Sequence, residues 1–239
     1  MLGGVCLATM MMAAGSARAI PTLQLDIGGG TYVAGGDDTT YANSSVFTLY
    51  ALNSGAPSGT FYISAAIQPR QGLASPPPNV GTFTFNGGTP ISTSDMNWGV
   101  PPVAITGVGD LPDHGAFDTY YVEFAFTFSS LQCASYDAAT ALGDPSTHPG
   151  TGMYYQSFQI DVSSLLSSYS VHFDLYDEAV KNKNHSSLAY APFTHDAQSG
   201  PGGDNGNSTP GVPDSGTTIA LLGFALAGVD QLRRRIVKA

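Results

Sequence analysis

Six side chains carry most of the coordinating chemistry this sequence offers: His172, Asp174, Asp177 and Glu178 in VHFDLYDEAV, and His195 and Asp196 in THDA. Carboxylate oxygens and imidazoles in two neighbouring phrases suit a calcium ion that pins loops together. Asp37 and Asp38, near Asp26, make a second acidic group. Neither group has the spacing of a helix–loop–helix calcium loop, and loop-bonding or solvated acids are the simpler account of both. No cofactor is therefore assigned, and structural calcium is the one candidate. His114 in Asp113-His114-Gly115 and His195 in Thr194-His195-Asp196 read most simply as loop anchors, since both phrases end or begin strands.

Enzymatic signatures are missing from the sequence. It contains no Gly-x-Ser-x-Gly nucleophile turn, His-Glu-x-x-His, Walker-type loop or dinucleotide fingerprint. Paired carboxylates for glycoside hydrolysis can come from any two strands; the only Glu candidates are Glu123 and Glu178, and Glu123 reads as a solvated charge. Trp98 with Tyr120, Tyr121, Tyr154 and Tyr155 would make an aromatic platform for sugar rings, against the simpler expectation that these rings pack. A non-enzyme is expected, with a carbohydrate-active enzyme or a calcium-stabilised adhesin as the alternatives.

The elements that must position these residues are strands. Gly (29) and Pro (16) are frequent and charged residues make up only 11% of 239, a composition for short strands and turns. Strand-length segments fall at 23–27, 46–52, 60–68, 81–85, 119–128, 155–162 and 171–176. Period-two alternation puts Val122, Phe124, Phe126 and Phe128 on one face, with Tyr121, Glu123, Ala125 and Thr127 on the other. Val171, Phe173 and Leu175 alternate likewise with His172, Asp174 and Tyr176. The fold class expected is all-β, a β-sandwich or jelly roll, with one short helix at 163–167 and a single C-terminal transmembrane helix.

Charge narrows the partners. Between residues 20 and 211 there are 16 Asp/Glu against three basic residues, Arg70, Lys181 and Lys183. Phosphate backbones and anionic headgroups would be repelled, so nucleic acid is not expected as a partner of this region. Cys6 falls in a segment expected to be removed, which leaves Cys133 as a buried small hydrophobe without a disulfide partner.

The two ends carry an address. Residues 1–19 run apolar to Ala14 and close on Ala17-Arg18-Ala19, the A-x-A pattern of a signal peptide cut after Ala19. Residues 198–211 form a Gly/Pro/Asn-rich tether. Val212, Pro213, Asp214, Ser215 and Gly216 follow, then an uncharged run at 217–229, then Arg233, Arg234 and Arg235. Thirteen residues span only about 20 Å of a roughly 30 Å hydrocarbon layer. Extending the helix to residue 232 and letting the arginines reach the headgroups completes the crossing, with the C-terminus inside. Ile219, Leu221, Leu222, Phe224, Leu226 and Val229 point all round such a helix, without a polar face.

The order of motif, short apolar helix and arginine cluster resembles the VPDSG variant of PEP-CTERM sorting signals from Gram-negative bacteria that secrete exopolysaccharide. The resemblance implies recognition of residues 212–216 by an exosortase-type membrane transpeptidase, a membrane helix at 217–232 and a stop signal at Arg233–Arg235. LQLDIGGGTY, LPDHGAFDTYYVEFAFTF, and HFDLYDEAV followed by APFTHDA resemble the ectodomains called choice-of-anchor N proteins, a family with no assigned activity. The organisation expected is a signal peptide at 1–19, an ectodomain at 20–197, a linker at 198–211 and a sorting signal at 212–239. The function expected is that of an exported, anchored envelope or matrix protein associated with exopolysaccharide.

Overall fold

The computed structural model describes residues 22–33, 39–69, 71–99, 118–140, 144–178, 191 and 195–200. Two sheets share one core. The first has the order β1 (Leu23–Ile27), β4 (Val46–Asn53), β10 (Met153–Asp161), β6 (Thr84–Phe85), with β9 (Gln132–Cys133) also paired to β10. The second runs β2 (Thr31–Val33), β3 (Thr39–Tyr41), β12 (Ala197–Gln198), β11 (Ser170–Asp177), β5 (Phe61–Gln68), β8 (Thr119–Phe126), β7 (Asn97–Gly99). Every pairing is antiparallel except β12 with β3.

Alternation decides which side chains enter the core. Leu25, Leu49 and Ile160 of the first sheet meet Ile63, Phe173 and Leu175 of the second, each fully buried. Burying one such side chain is worth about 1.5–3 kcal/mol. Phe47 packs edge-on against Phe173 at 6.2 Å between centroids, joining the sheets. The β8 alternation is as expected, with Val122, Phe124 and Phe126 packed against the core. These side chains are only half-buried, and Phe124 stacks on Phe85 of the two-residue strand β6 at 3.8 Å.

All seven expected strand segments are present, with ends shifted by a few residues; at 81–85 only Thr84–Phe85 forms a ladder strand, preceded by single bridges at Gly81 and Phe83. The short helix expected at 163–167 is not there: Leu165 bridges to Gly81, and Leu165 N–H donates to Val162 O at 2.9 Å in a turn. A second turn, closed by Tyr169 N–H donating to Leu166 O at 2.9 Å, follows the bridge, so two turns stand where a helix was expected. The five strands β2, β3, β7, β9 and β12 add two or three residues each.

Among the described residues no helix is long and apolar enough to cross a membrane. The segment expected to do so, 217–232, lies outside the described residues, as do Ala17, Ala19, Val212, Pro213, Asp214, Ser215, Gly216, Arg233, Arg234 and Arg235.

Candidate functional site

Polar chemistry collects at two buried clusters, one on the outer face of each sheet. On β1, Leu23, Leu25 and Ile27 point into the core, which turns Gln24 and Asp26 outward. Both are nevertheless buried, at 0% and 3% exposure. Residues 133–140 and 144–148 cover them as a flap. Gln24 donates through Nε2 to the Tyr136 carbonyl (3.0 Å) and accepts at Oε1 from Ala138 N–H (2.9 Å). The Tyr136 hydroxyl donates to Asp26 Oδ2, and Ile27 N–H donates to Oδ1 at 2.8 Å.

Local geometry makes the flap possible. Gly152 comes so close to the chain that a Cβ there would stand 2.5 Å from Ser135 N. Asp144 caps the 3-10 turn Pro145–Thr147, accepting from Ser146 N–H at 2.7 Å. Beneath lies a small second core of Tyr50, Leu52, Cys133, Tyr136, Ala138 and Met153. Cys133 is buried, as expected, and burial pushes its thiol pKa up.

Burial and hydrogen bonding set the acidities of the two carboxyls here, Asp26 and Asp144. Burial pushes the Asp26 carboxyl up to about 7, against hydrogen bonds from Tyr136 and Ile27 that lower it. Asp144 is held below the usual range: its partial burial raises it, but bonds from Ser146 and Tyr50 outweigh that. Neighbouring carboxyls with opposed acidities are what general acid–base chemistry uses. Asp26, however, is sealed, with both oxygens engaged, so the pair as it stands closes a joint.

The second cluster is built from two strands the register brings together. His172 on β11 faces Gln198 on β12, and Asp196 precedes that strand. His172 Nε2 lies 3.5 Å from both Asp174 Oδ1 and Asp196 Oδ2, and Nδ1 lies 3.4 Å from Gln198 Oε1. Gln198 Nε2 in turn donates to Ser170 Oγ at 3.0 Å. Burial alone would lower the imidazole pKa, but the carboxylates of Asp196 and Asp174 override it and push it up to about 10. His172 is therefore an imidazolium at neutral pH, held between two acids.

The six-residue constellation read from sequence thus divides. His172, Asp174 and Asp196 come together, whereas His195 pairs instead with Asp137 of the flap, Nε2 to Oδ1 at 2.9 Å. Asp177 and Glu178 sit at the far end of β11, where Glu178 N–H donates to Thr60 O. Among the described residues no group of three or more His, Cys, Asp or Glu is placed to hold a metal ion. Asp37, Asp38 and His114 lie outside the described residues.

One further expectation, that of a solvated Glu123, is corrected. Glu123 does face outward, but it accepts a 2.6 Å hydrogen bond from Tyr176 OH instead of standing solvated, and Tyr176 is fully buried. The aromatic platform does not assemble. Tyr120 points into the core while its neighbour Tyr121 points away, and Tyr154 and Tyr155 belong to the other sheet. Tyr155 packs on Tyr50 at 6.2 Å, and Trp98 is left at 36% exposure on the edge strand β7.

Sequence reasoning missed Gln24, Asp137, Tyr136 and Asp144. Strict alternation within LQLDI signals that Gln24 and Asp26 share a face; nothing local signals what covers it.

Beyond Gly200 the functional information is in the sequence of the tail, with Val212-Pro213-Asp214-Ser215-Gly216 ahead of an apolar run and three arginines. Residues 211–236 match the VPDSG-CTERM motif. The match supports a sorting signal of the PEP-CTERM type at this end of the chain. No curated protein and no solved structure matches the chain.

Proposed function

We propose that this is an exported cell-envelope protein with a non-enzymatic ectodomain, processed by an exosortase-type transpeptidase at Val212–Gly216. The observation that carries the reading is the VPDSG-CTERM match at residues 211–236. The apolar run at 217–232 serves as the membrane segment before processing, and Arg233, Arg234 and Arg235 hold its end on the cytoplasmic side. At the other end, a signal peptide ending at Ala19 starts export.

The ectodomain is proposed to act as a structural element of an extracellular polysaccharide layer. Support comes from its acidic composition, 16 Asp/Glu against three basic residues between residues 20 and 211, which disfavours phosphate-rich partners, and from polar clusters whose side chains bind one another beneath the surface. Choice-of-anchor N ectodomains remain the proposed kin.

Terminal mapping by intact mass on protein from native envelopes tests the reading. A mature chain starting at Ile20 and lacking Arg233–Arg235 is expected. A full-length chain from Met1 to Ala239 in those envelopes would overturn it. A binding assay against exopolysaccharide from the producing cell tests the partner class, and absence of binding removes it.

A further inference from the structure

We infer that the outer face of the second sheet carries a slot for one pyranose ring of a neutral polysaccharide, bounded by Tyr62, Ala125 and Glu123. The inference deepens the polysaccharide reading above and rests on it.

Alternation builds the slot. Phe61 and Ile63 of β5, Phe124 and Phe126 of β8 and Leu175 of β11 pack into the core, so Tyr62, Ser64, Glu123, Ala125 and Tyr176 stand on the outer face. Register then sets Tyr176, Tyr62 and Ala125 in one row across β11, β5 and β8, with Ser64 opposite Glu123 in the next row.

The first row is uneven in height. The rings of Tyr62 and Tyr176 are stacked, 6.0 Å between centroids and 16° between planes. One face of Tyr62 is thus turned to Tyr176 and the other toward β8, where Ala125 offers only a methyl group and is exposed. Tyr176 is fully buried, while Tyr62 is half-buried. β7 pairs with β8 only at Thr119–Tyr121, so among the described residues no strand flanks Ala125 on its far side. An aromatic face above a small residue at an open sheet border suits a ring face lined with C–H groups.

Polar atoms lie where such a ring carries its hydroxyls. Glu123 stands next to Ala125 on the same face of β8, and its carboxylate is oriented by Tyr176 O–H at 2.6 Å. A carboxylate has about four acceptor positions, so it can take sugar hydroxyls as donors while keeping that bond. Ser64 Oγ, in the same row as Glu123, is fully buried and has no hydrogen-bond partner, a polar atom beneath the slot that the fold itself does not satisfy. A neutral chain fits the charge. Uronate or sulfate groups would meet Glu123, and a region with 16 Asp/Glu against three basic residues, as like charges.

Affinity electrophoresis tests this, with the full chain run in mild detergent through gels holding exopolysaccharide from the producing cell, separated into neutral and uronate-rich fractions. The neutral fraction should retard the wild-type chain. Tyr62→Ala, which removes the ring face, and Ala125→Leu, which fills the slot, should each weaken that interaction about tenfold, and Tyr62→Phe should keep it. Equal retardation of wild type, Tyr62→Ala and Ala125→Leu, or retardation by the uronate-rich fraction alone, would overturn the slot and leave the polysaccharide reading standing. Retardation by neither fraction removes both. Should Tyr62→Ala not fold, Ala125→Leu at its exposed position decides.

Discussion

His195 Nε2 lies 2.9 Å from Asp137 Oδ1 across 58 residues of sequence, tying the lead-in to β12 in the second sheet to the flap that covers the first. The next residue, Asp196, turns the other way to His172. Two consecutive side chains thus secure the C-terminal strand on both sides.

Removing one end of that tie takes the Asp137 carboxyl away from a buried imidazole. Asp137→Ala should cost about 1–3 kcal/mol. Urea denaturation reads this as a lower midpoint at unchanged slope. An unchanged midpoint would mean the contact contributes nothing net.

His172 gives a stability profile that declines toward alkaline pH. Its folded acidity, about 10, lies above the unfolded 6.5, so its contribution is complete below 6.5 and is lost as pH rises through about 10. His172→Ala should also cost about 3–5 kcal/mol, because Asp174 and Asp196 would lose the imidazolium they share. Equilibrium unfolding at several pH values checks both. Stability that stays constant or rises from pH 7 to 10 contradicts the assignment.

Gly81 has φ of +86° and pairs with Leu165. A Cβ there would meet Ser164 O and lie 2.8 Å from Leu165 Cα. Gly81→Ala should therefore destabilise by about 1–3 kcal/mol through strain and steric conflict. A thermal midpoint equal to wild type would show that the turn adapts freely.

What the sequence made legible follows its periodicity. Val122, Phe124 and Phe126 announce a core face by alternation, and the same rule assigns His172 and Asp174 to the opposite face. Strands of two or three residues, such as β9 and β12, have too few positions to show a period. The meeting of His172 with Asp196 depends on β12 lying beside β11, which is a property of topology and has no local signature. Glu123 shows the limit differently. Its outward direction was legible, but its partner Tyr176 sits two strands away, on β11 beyond β5. Flap residues such as Tyr136 lie in a turn-rich stretch whose docking partner is 112 residues earlier in the case of Gln24.

β12 is the last strand described before the tail, and it lies inside its sheet, bonded to β3 on one side and β11 on the other. Thr40 N–H donates to Asp196 O (3.2 Å), Ala42 N–H to Gln198 O (2.9 Å), and Ser199 N–H to Val171 O (2.8 Å). A pull directed along β12 would strain these bonds in shear and together, unlike a peeled rim that yields one bond at a time. Anchorage of β12 between two neighbours would spread such a tensile load over the middle of the sheet.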